Sequence, residues 1–329
     1  MKFTIPLLFL ASIVLQSSYT EVSDNLVLKK TKTGAYEERF FVYKEQPQIK
    51  QDQYVKFYTN ELGAKKVVEF GRFELNQKTG MWMDFYYLRN SNMLRSFGMF
   101  VQGKKEGEWT SFFKYENDFN PFSVESNKVG KMNTTNLYIP KSNKEICVLK
   151  MDTTNVNLME WGKYEDDKKI GVWEYYAPDG RLMQKYDHTL GKLLENHAYP
   201  DSFMIYLGGF DRFNSYVHWD IKPNILLNMS DSNSVVFDVK ENGFELLESK
   251  GDSMLVNELL NKLKMAPSDW ILLTPGTKRS LHFIFQSFRN PETKRVKFTF
   301  RFKYIDPDSP ENKVIKKESE PILLNSPDN

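Results

Sequence analysis

The sequence predicts a β-rich fold in which an N-terminal array of β-hairpin repeats is followed by a small α+β domain. Three observations carry this prediction. A short aromatic motif recurs along the first part of the chain, aromatic residues make up 15% of its 329 residues, and the last third mixes helical and strand periodicities. Aromatic residues favour strands, and a chain of this length exceeds one average domain. We therefore expect two domains.

The recurring motif is Gly-x-aromatic, a polar turn, and then Gly-x-Trp-x-x-aromatic. Its copies begin at Gly71, Gly98 and Gly162, and their tryptophans are Trp82, Trp109 and Trp173. Repeats of this size are typical of arrays in which one unit cannot bury its apolar face alone. Each copy predicts a β-hairpin whose glycines permit positive φ or close backbone approach. We expect the tryptophans to lie in the core.

This pattern resembles the YwqK-type antitoxin-like repeats, which are common in exported proteins of Bacteroidota-like bacteria. These repeats are related to MORN repeats. Residues 175–182 contain an aromatic pair, then an Asp-Gly turn and then a Leu, and this order fits that family. A degenerate first copy is predicted over residues 39–58. The resemblance implies a β-hairpin interaction scaffold over residues 39–195, with an insertion at 114–160, and no enzymatic activity. The lipid-binding spacing of MORN repeats is not found here.

The N-terminus predicts export. Lys2 precedes the apolar run Phe3–Leu15, as in a secretory signal peptide. The run is shorter than the roughly 20 residues of a membrane span, so we expect residues 1–20 to be cleaved and the mature protein to start near Glu21. Residues 21–38 predict an irregular lead-in. The expected location is the periplasm or association with the outer membrane, and the choice between periplasm and cell surface stays open.

The charge balance argues against a nucleic-acid partner, and the cysteine content excludes an internal disulfide. The chain carries 45 basic and 43 acidic residues, a net charge of +2, and this balance gives no electrostatic basis for binding nucleic acid. The single cysteine, Cys147, cannot form an internal disulfide. It lies in the apolar run 146–149, which predicts a buried free thiol.

Residues 200–305 predict the α+β domain. Apolar residues at helical spacing predict two helices, and strict alternation predicts the strands. The helical patterns consist of Phe210, Phe213 and Val217, and of Leu255, Leu259 and Leu263. The Asn242-Gly243 pair is a strong hairpin signal. The domain therefore reads as helix, hairpin, helix and two further strands.

The order of features over residues 200–288 resembles the C-terminal domain of TonB-family proteins. The resemblance is carried by Gly208-Gly209, residues 237–243, Leu259, Pro267, Trp270 and Pro275-Gly276. Energy-transducing members keep an uncleaved membrane helix and a Pro-rich spacer, which this chain is expected to lack. The resemblance therefore implies a TonB-C-like binding module. The Pro-rich, charged residues 306–329 predict a disordered tail.

The last strand of this domain, predicted over Lys294–Ile305, is the candidate partner-binding element. Aromatic residues alternate along one face, and the other face carries Lys297, Thr299, Arg301 and Lys303. Cations on such a face suit a sheet edge, which can accept an added strand from a partner. A fully paired interior strand is the alternative, because periodicity alone does not place a strand within its sheet.

We find no catalytic, cofactor or metal motif. The segment from Val217 to Leu227 imitates a protein-kinase catalytic loop, but Trp219 replaces the Arg and one residue is missing between Asp220 and Asn224. The four histidines show no paired ligand spacing. This segment therefore does not predict a kinase.

The sequence as a whole predicts a non-catalytic protein–protein interaction scaffold of the envelope. We expect envelope proteins as partners, no cofactor, and membrane contact only by way of a partner; the oligomeric state stays open. The alternative is a carbohydrate- or cell-wall-binding accessory module that uses exposed aromatic side chains. Exposed, coplanar rings at Trp82, Trp109 and Trp173 would favour that alternative, and buried rings would favour the scaffold.

Overall fold

The computed structural model describes most of the chain between residues 25 and 305. The described residues are 25–59, 63, 65–87, 92–113, 136–138, 148–150, 157–197, 202–217, 232–250, 253–274, 279–289 and 296–305. They belong to two compact units, Met1–Asn196 and His197–Asn329, called here the array unit and the C-terminal unit. The predicted signal peptide, the predicted tail and Cys147 lie outside the described residues.

The array unit is a long antiparallel sheet of consecutive hairpins, so the predicted β-rich class is confirmed. Its strands are β1 Leu26–Thr33, β2 Tyr36–Tyr43, β3 Lys50–Thr59, β4 Lys65–Glu74, β5 Gln77–Tyr87, β6 Asn92–Val101, β7 Lys104–Phe112, β8 Asn136–Tyr138, β9 Val148–Lys150, β10 Leu158–Glu165, β11 Lys168–Tyr176, β12 Leu182–Asp187 and β13 Lys192–Asn196. The eleven strands of the main sheet follow chain order from β1 to β7 and from β10 to β13. Strands β8 and β9 pair with each other.

Two predicted segments differ from the structure. The irregular lead-in at 21–38 instead contains β1 and the start of β2, which pair from Leu26 opposite Tyr43 to Thr33 opposite Tyr36. Strand β1 is mostly exposed and carries several lysines, so it lacks the apolar alternation that marks a half-buried strand. The insertion predicted at 114–160 is slightly shorter at its C-terminal end, because β10 already begins at Leu158.

The hairpins within the copies close through tight two-residue turns. The turn residues are Leu75 and Asn76, Gln102 and Gly103, and Asp166 and Asp167, all with φ between 48° and 82°. Positive φ at both residues defines the type I′ turn, whose twist matches that of the strands. The sequence predicts the first turn at 76–79, but Gln77 already begins β5. The turn uses Asn76, and Gly80, with φ of 67°, lies within the strand.

Each of these turns also binds the preceding copy. The N–H groups of Asn76, Gly103 and Asp167 donate to the carbonyl oxygens of Lys50, Lys78 and Lys105, at 3.0, 2.9 and 3.2 Å. The side chains of Asn76 and Asp167 accept in return from the backbone N–H groups of Lys50 and Lys105, at 2.7 and 2.8 Å. Neighbouring copies are therefore joined at their turns by the same backbone contact.

The described residues of the C-terminal unit form two helices and two small sheets. Its elements are β14 Met204–Tyr206, α1 Gly209–Tyr216, β15 Ser232–Lys240, β16 Gly243–Lys250, α2 Ser253–Leu263, β17 Trp270–Leu272, β18 Ser280–Arg289 and β19 Val296–Ile305. One sheet has the order β16-β15-β18-β19, and β14 pairs with β17. Both predicted helices are present. The predicted hairpin is present too, but its turn residues are Glu241 and Asn242, because Gly243 already pairs with Lys240.

The core of the C-terminal unit collects apolar residues from both helices and all the sheets. The fully buried members include Phe213 of α1, Leu255 and Leu259 of α2, Phe237 of β15, and Phe283 of β18. Trp270 packs among Tyr206, Phe210, Phe213 and Phe302 with ring centroids 5.0 to 6.4 Å away. Of β19, Phe302 belongs to this core and Tyr304 packs against it.

Candidate interaction surfaces

A row of aromatic rings crosses one face of the array sheet, and we call it the aromatic ladder. Its members are Tyr54, Phe73, Trp82, Phe100, Trp109, Tyr164, Trp173 and His188. Consecutive ring centroids lie 5.1 to 5.9 Å apart, and every pair is edge-to-face. This geometry places the positive edge of one ring on the negative face of the next. The ladder therefore links all copies of the repeat.

Glycine is required beside each ladder tryptophan. A Cβ atom at Gly71, Gly98 or Gly162 would lie 2.2 to 2.3 Å from a ring atom of the tryptophan in the same copy, closer than atoms can approach. Each indole N–H donates to a backbone carbonyl at 3.0 to 3.2 Å. The tryptophans are 2%, 3% and 1% exposed. The motif's first glycine thus serves close packing, and the tryptophans lie in the core, as predicted.

A lysine lies over each ladder tryptophan. The Nζ atoms of Lys78, Lys105 and Lys169 are 4.0, 4.2 and 4.3 Å from the ring centroids of Trp82, Trp109 and Trp173. At these distances the ammonium is attracted by the ring quadrupole. These lysines were not predicted from the sequence, although each lies two residues before the second glycine of its copy. The fuller motif is therefore Lys-x-Gly-x-Trp.

The degenerate first copy follows the same plan. Residues 50–54 read Lys-Gln-Asp-Gln-Tyr, with Asp52 at the glycine position and Tyr54 at the tryptophan position. Asp52 has φ of 62°, close to the 58° to 67° of Gly80, Gly107 and Gly171. Lys50 lies 5.2 Å from the Tyr54 ring. The backbone at Asp52 therefore has the same conformation as the equivalent glycines of the other copies.

Carboxylates pair with three of the four lysines of the ladder. Lys50 pairs with Glu38 at 3.2 Å, Lys169 with Glu160 at 2.9 Å, and Lys78 with Glu69. Glu69 and Glu160 each precede their lysine by nine residues. They lie two residues before the first glycine of the motif, and we count them with the copy that follows. When the complete copies are numbered from Gly71, the equivalent residue in the second copy is Ser96. Among the described residues Lys105 forms no ion pair, and burial is the main cause that lowers its pKa.

Strand β19 lies at the edge of its four-stranded sheet. It pairs with β18 along its whole length, from Ser280 opposite Ile305 to Arg289 opposite Val296. Within the described part of the unit, no strand pairs with its other side. Phe302 is buried and the Tyr304 hydroxyl donates to the Met204 carbonyl at 2.9 Å. The described part of the aromatic face, Phe302 and Tyr304, therefore points into the core.

The cationic face of β19 is described in part. Arg301 and Lys303 are half-buried, and the register places them opposite Ile284 and His282 of β18. Lys297 and Thr299 lie on the same strand, but only their backbone is among the described features. The Arg301 Nε–H is buried and finds no hydrogen-bond partner among the described residues. The four predicted residues thus share one edge strand.

A titratable group lies next to this face. His282 is opposite Asp238 of β15 on one side and Lys303 on the other. Burial lowers the pKa of His282, and the nearby Lys303 and Lys240 act in the same direction, while Asp238 opposes them. Asp238 is 7% exposed and pairs with Lys240. The outer face of the sheet is therefore partly desolvated.

The described residues contain no cluster of three or more His, Cys, Asp or Glu side chains suited to a metal ion. None of the helices described is both long and apolar enough for a membrane span. Of the kinase-like segment, only Val217 is described. Comparisons with family models, with curated proteins and with solved structures gave no match.

Proposed function

We propose that this protein is an exported, non-catalytic interaction scaffold of a Gram-negative envelope, and that β19 pairs with an extended segment of a protein partner. The observation that supports this proposal is the edge position of β19, which has a hydrogen-bonded neighbour on one side only among the described strands. A strand added at such an edge gains affinity from main-chain hydrogen bonds. The length of β19, Val296–Ile305, offers room for a long pairing.

The charge of the strand suggests the chemistry of the partner. Lys297, Arg301 and Lys303 alternate along β19, and cross-strand neighbours of opposite charge stabilise pairing. The partner segment is therefore extended and carries acidic residues at alternate positions. Complementary charge of this kind also speeds association and disfavours wrong partners. Phe302 and Tyr304 take no part in recognition because they pack in the unit's own core.

Export and family membership belong to the same proposal. The run Phe3–Leu15 after Lys2 supports a cleaved signal peptide. The repeated Gly, Lys and Trp positions support a YwqK-type, MORN-like array, and the order of elements in the C-terminal unit supports a TonB-C-like module. In this proposal the array is a rigid second surface of the scaffold.

The alternative of a carbohydrate-binding module has less support. A stacking platform needs an open ring face, whereas Trp82, Trp109 and Trp173 are at most 3% exposed and carry lysines on their faces. These three rings therefore favour the scaffold.

The test of strand addition is Thr299→Pro, with Thr299→Val as the matched control. Proline removes one backbone N–H, while valine keeps it and favours a strand. Envelope proteins captured by the wild-type chain are quantified for each variant, and circular dichroism checks folding. We expect capture to be lost with proline and kept with valine. Capture that survives Thr299→Pro in a folded protein would remove β19 from the interface.

A charge reversal tests the same proposal even if the proline variant misfolds. Lys303→Glu leaves the backbone unchanged and reverses one charge of the edge strand. We expect weaker capture with a larger loss at low salt, because exposed charges are screened at high salt. Unchanged capture by Lys303→Glu would argue against an acidic partner segment.

Export is tested by mass spectrometry of the protein isolated from its native cells. We expect an N-terminus near Glu21, because the apolar run after Lys2 is followed by small and polar residues that suit cleavage. An intact Met1 would contradict cleavage.

A further inference from the structure

The second copy of the repeat departs from its neighbours in the charged row beside the aromatic ladder. Glu69 and Glu160 bind the lysines of their own copies, but the equivalent Ser96 does not reach Lys105. Instead the Ser96 hydroxyl donates to Asp84 of the preceding copy at 2.9 Å. Lys105 is thus the one ladder lysine without a carboxylate, among the residues that the structure describes.

The strand register shows what surrounds this position. Ser96 lies opposite Asp84 on one side and Ser111 on the other, and Ser111 lies opposite Glu160. Two short side chains therefore stand next to each other between two acidic ones. Where the second copy has Ser111, the first copy has Asp84 and the last has Tyr175. Both positions carry larger side chains in the neighbouring copies, and we call the place where the two short serine side chains lie side by side the depression.

The donors around this depression are not all in use. Lys105 is half-buried and lies over the rings of Trp109 and Tyr164, at 4.2 and 4.9 Å. Neither nearby carboxylate pairs with it, since Asp84 accepts from Ser96 and Glu160 pairs with Lys169 at 2.9 Å. The charges of Asp84 and Glu160 favour the ammonium form, but burial outweighs them and lowers the pKa of Lys105. An additional anion would stabilise the ammonium.

We propose that the depression formed by Ser96, Ser111 and Lys105 binds a carboxylate group, which takes the place of the glutamate found in the neighbouring copies. The Lys105 ammonium and the Ser111 hydroxyl donate to it. The charges of Asp84 and Glu160 oppose binding but do not prevent it. Glu69 already lies directly opposite Asp84 in the first copy with Lys78 beside it, and Glu160, which lies opposite Ser111, pairs with Lys169. This site lies in the array unit and is distinct from the partner segment at β19.

The ligand is a carboxylate on a side chain of an acidic peptide, or a small free carboxylate. Both present the same planar acceptor to an ammonium. The peptide is held additionally by its backbone, whereas the free carboxylate gains only the contacts within the depression. Their relative affinities therefore distinguish the two sources.

The test is competitive acylation of lysines in the full chain, read by mass spectrometry at Lys105, Lys78 and Lys169. An amine-reactive ester is applied in sodium chloride, in sodium acetate of equal ionic strength, and in chloride with a short blocked peptide that contains one Glu. A bound carboxylate that raises the Lys105 pKa by about one unit lowers the fraction of reactive amine about tenfold. We expect this loss of labelling at Lys105 only, with the two paired lysines as internal controls. Equal labelling of Lys105 in chloride and acetate would overturn the proposal.

Two substitutions at Ser96 sharpen the test. Ser96→Glu restores the glutamate of the other copies, so Lys105 is protected in chloride and acetate adds nothing. Ser96→Gln fills the depression without charge, so Lys105 stays reactive in both salts. Protection of Ser96→Gln by acetate would overturn the proposed position. Protection of the wild type by the peptide at lower concentration than acetate identifies a peptide ligand, and equal protection identifies a free carboxylate.

Discussion

The two units of this protein bury aromatic residues in opposite ways. In the array unit, strand order follows chain order on both sides of the insertion, and each ladder ring contacts a ring of the same or the next copy. In the C-terminal unit, β14 pairs with β17, and the Tyr304 hydroxyl reaches Met204. Its core joins segments that are distant in sequence. The comparison shows that one kind of residue can build a core from local contacts or from long-range contacts.

This difference predicts different cooperativity. Repeat arrays behave as chains of nearest-neighbour units, so damage to one copy should spread mainly to its neighbours. A small domain with one core unfolds as a whole. The following experiments test or refine that contrast, beginning with the largest expected effect.

Trp109→Ala and Trp270→Ala should each destabilise their unit by about 3–5 kcal/mol, the range for large aromatic truncations. Their effects should differ in extent. Hydrogen exchange should show lost protection throughout the C-terminal unit for Trp270→Ala, but mainly in β5 to β11 for Trp109→Ala. Equal loss of protection in β2 and β7 after Trp109→Ala would mean that the array unfolds as one body.

Lys169→Met and Lys105→Met test the charged row. Removal of Lys169 leaves Glu160, which is 3% exposed, without its ion-pair partner, and a buried pair broken on one side costs about 3 kcal/mol. Lys105→Met breaks no ion pair among the described residues, and we expect a loss of about 0.5–1 kcal/mol, mainly from its interaction with the rings. Denaturant unfolding measures both. The double variant Lys169→Met with Glu160→Gln should recover much of the loss, and equal single-variant effects would contradict the assignment of Lys105 as unpaired.

Gly98→Ala and Gly107→Ala separate two uses of glycine within one copy. The new Cβ at residue 98 would lie 2.2 Å from Trp109, so we expect a loss of about 2–3 kcal/mol from overpacking. At Gly107 the space is open but φ is 66°, which costs an alanine about 1–2 kcal/mol. Thermal unfolding should rank them in that order. The reverse order would show that backbone conformation matters more than the approach of the indole.

The smallest expected effect is a pH dependence of the C-terminal unit. Burial lowers the pKa of His282, so below the ordinary value of about 6.5 the unfolded chain binds more protons than the folded one. Stability should therefore fall as the pH falls from about 6.5 towards the folded-state pKa. His282→Gln should remove this part of the dependence. An unchanged pH profile in the variant would assign the dependence to other groups.

The sequence predicts the array well because its code is local. The recurring glycines and tryptophans identify the hairpins and the buried rings, since both ends of each contact lie in one motif. The lysines and glutamates of the ladder were missed because such residues are also common on solvated faces. The turn at Leu75 and Asn76 was predicted too late, at 76–79, because the polar residues favour a turn there and an apolar Leu75 with positive φ is unusual. In the C-terminal unit, periodicity identifies β19, but its edge position depends on which distant strands pair, and a single strand does not encode that.

The contact between turns has a consequence for the history and engineering of the array. Gly71 lies opposite Tyr54, and Gly98 lies in the same way opposite Trp82. Excision of residues 71–97 would bring Gly98 opposite Tyr54 and would let the Gly103 N–H donate to the Lys50 carbonyl in place of Asn76. Because each copy presents the same surfaces forwards and backwards, the array has no intrinsic length. Duplication or deletion of a copy would therefore need no new kind of contact between neighbouring copies.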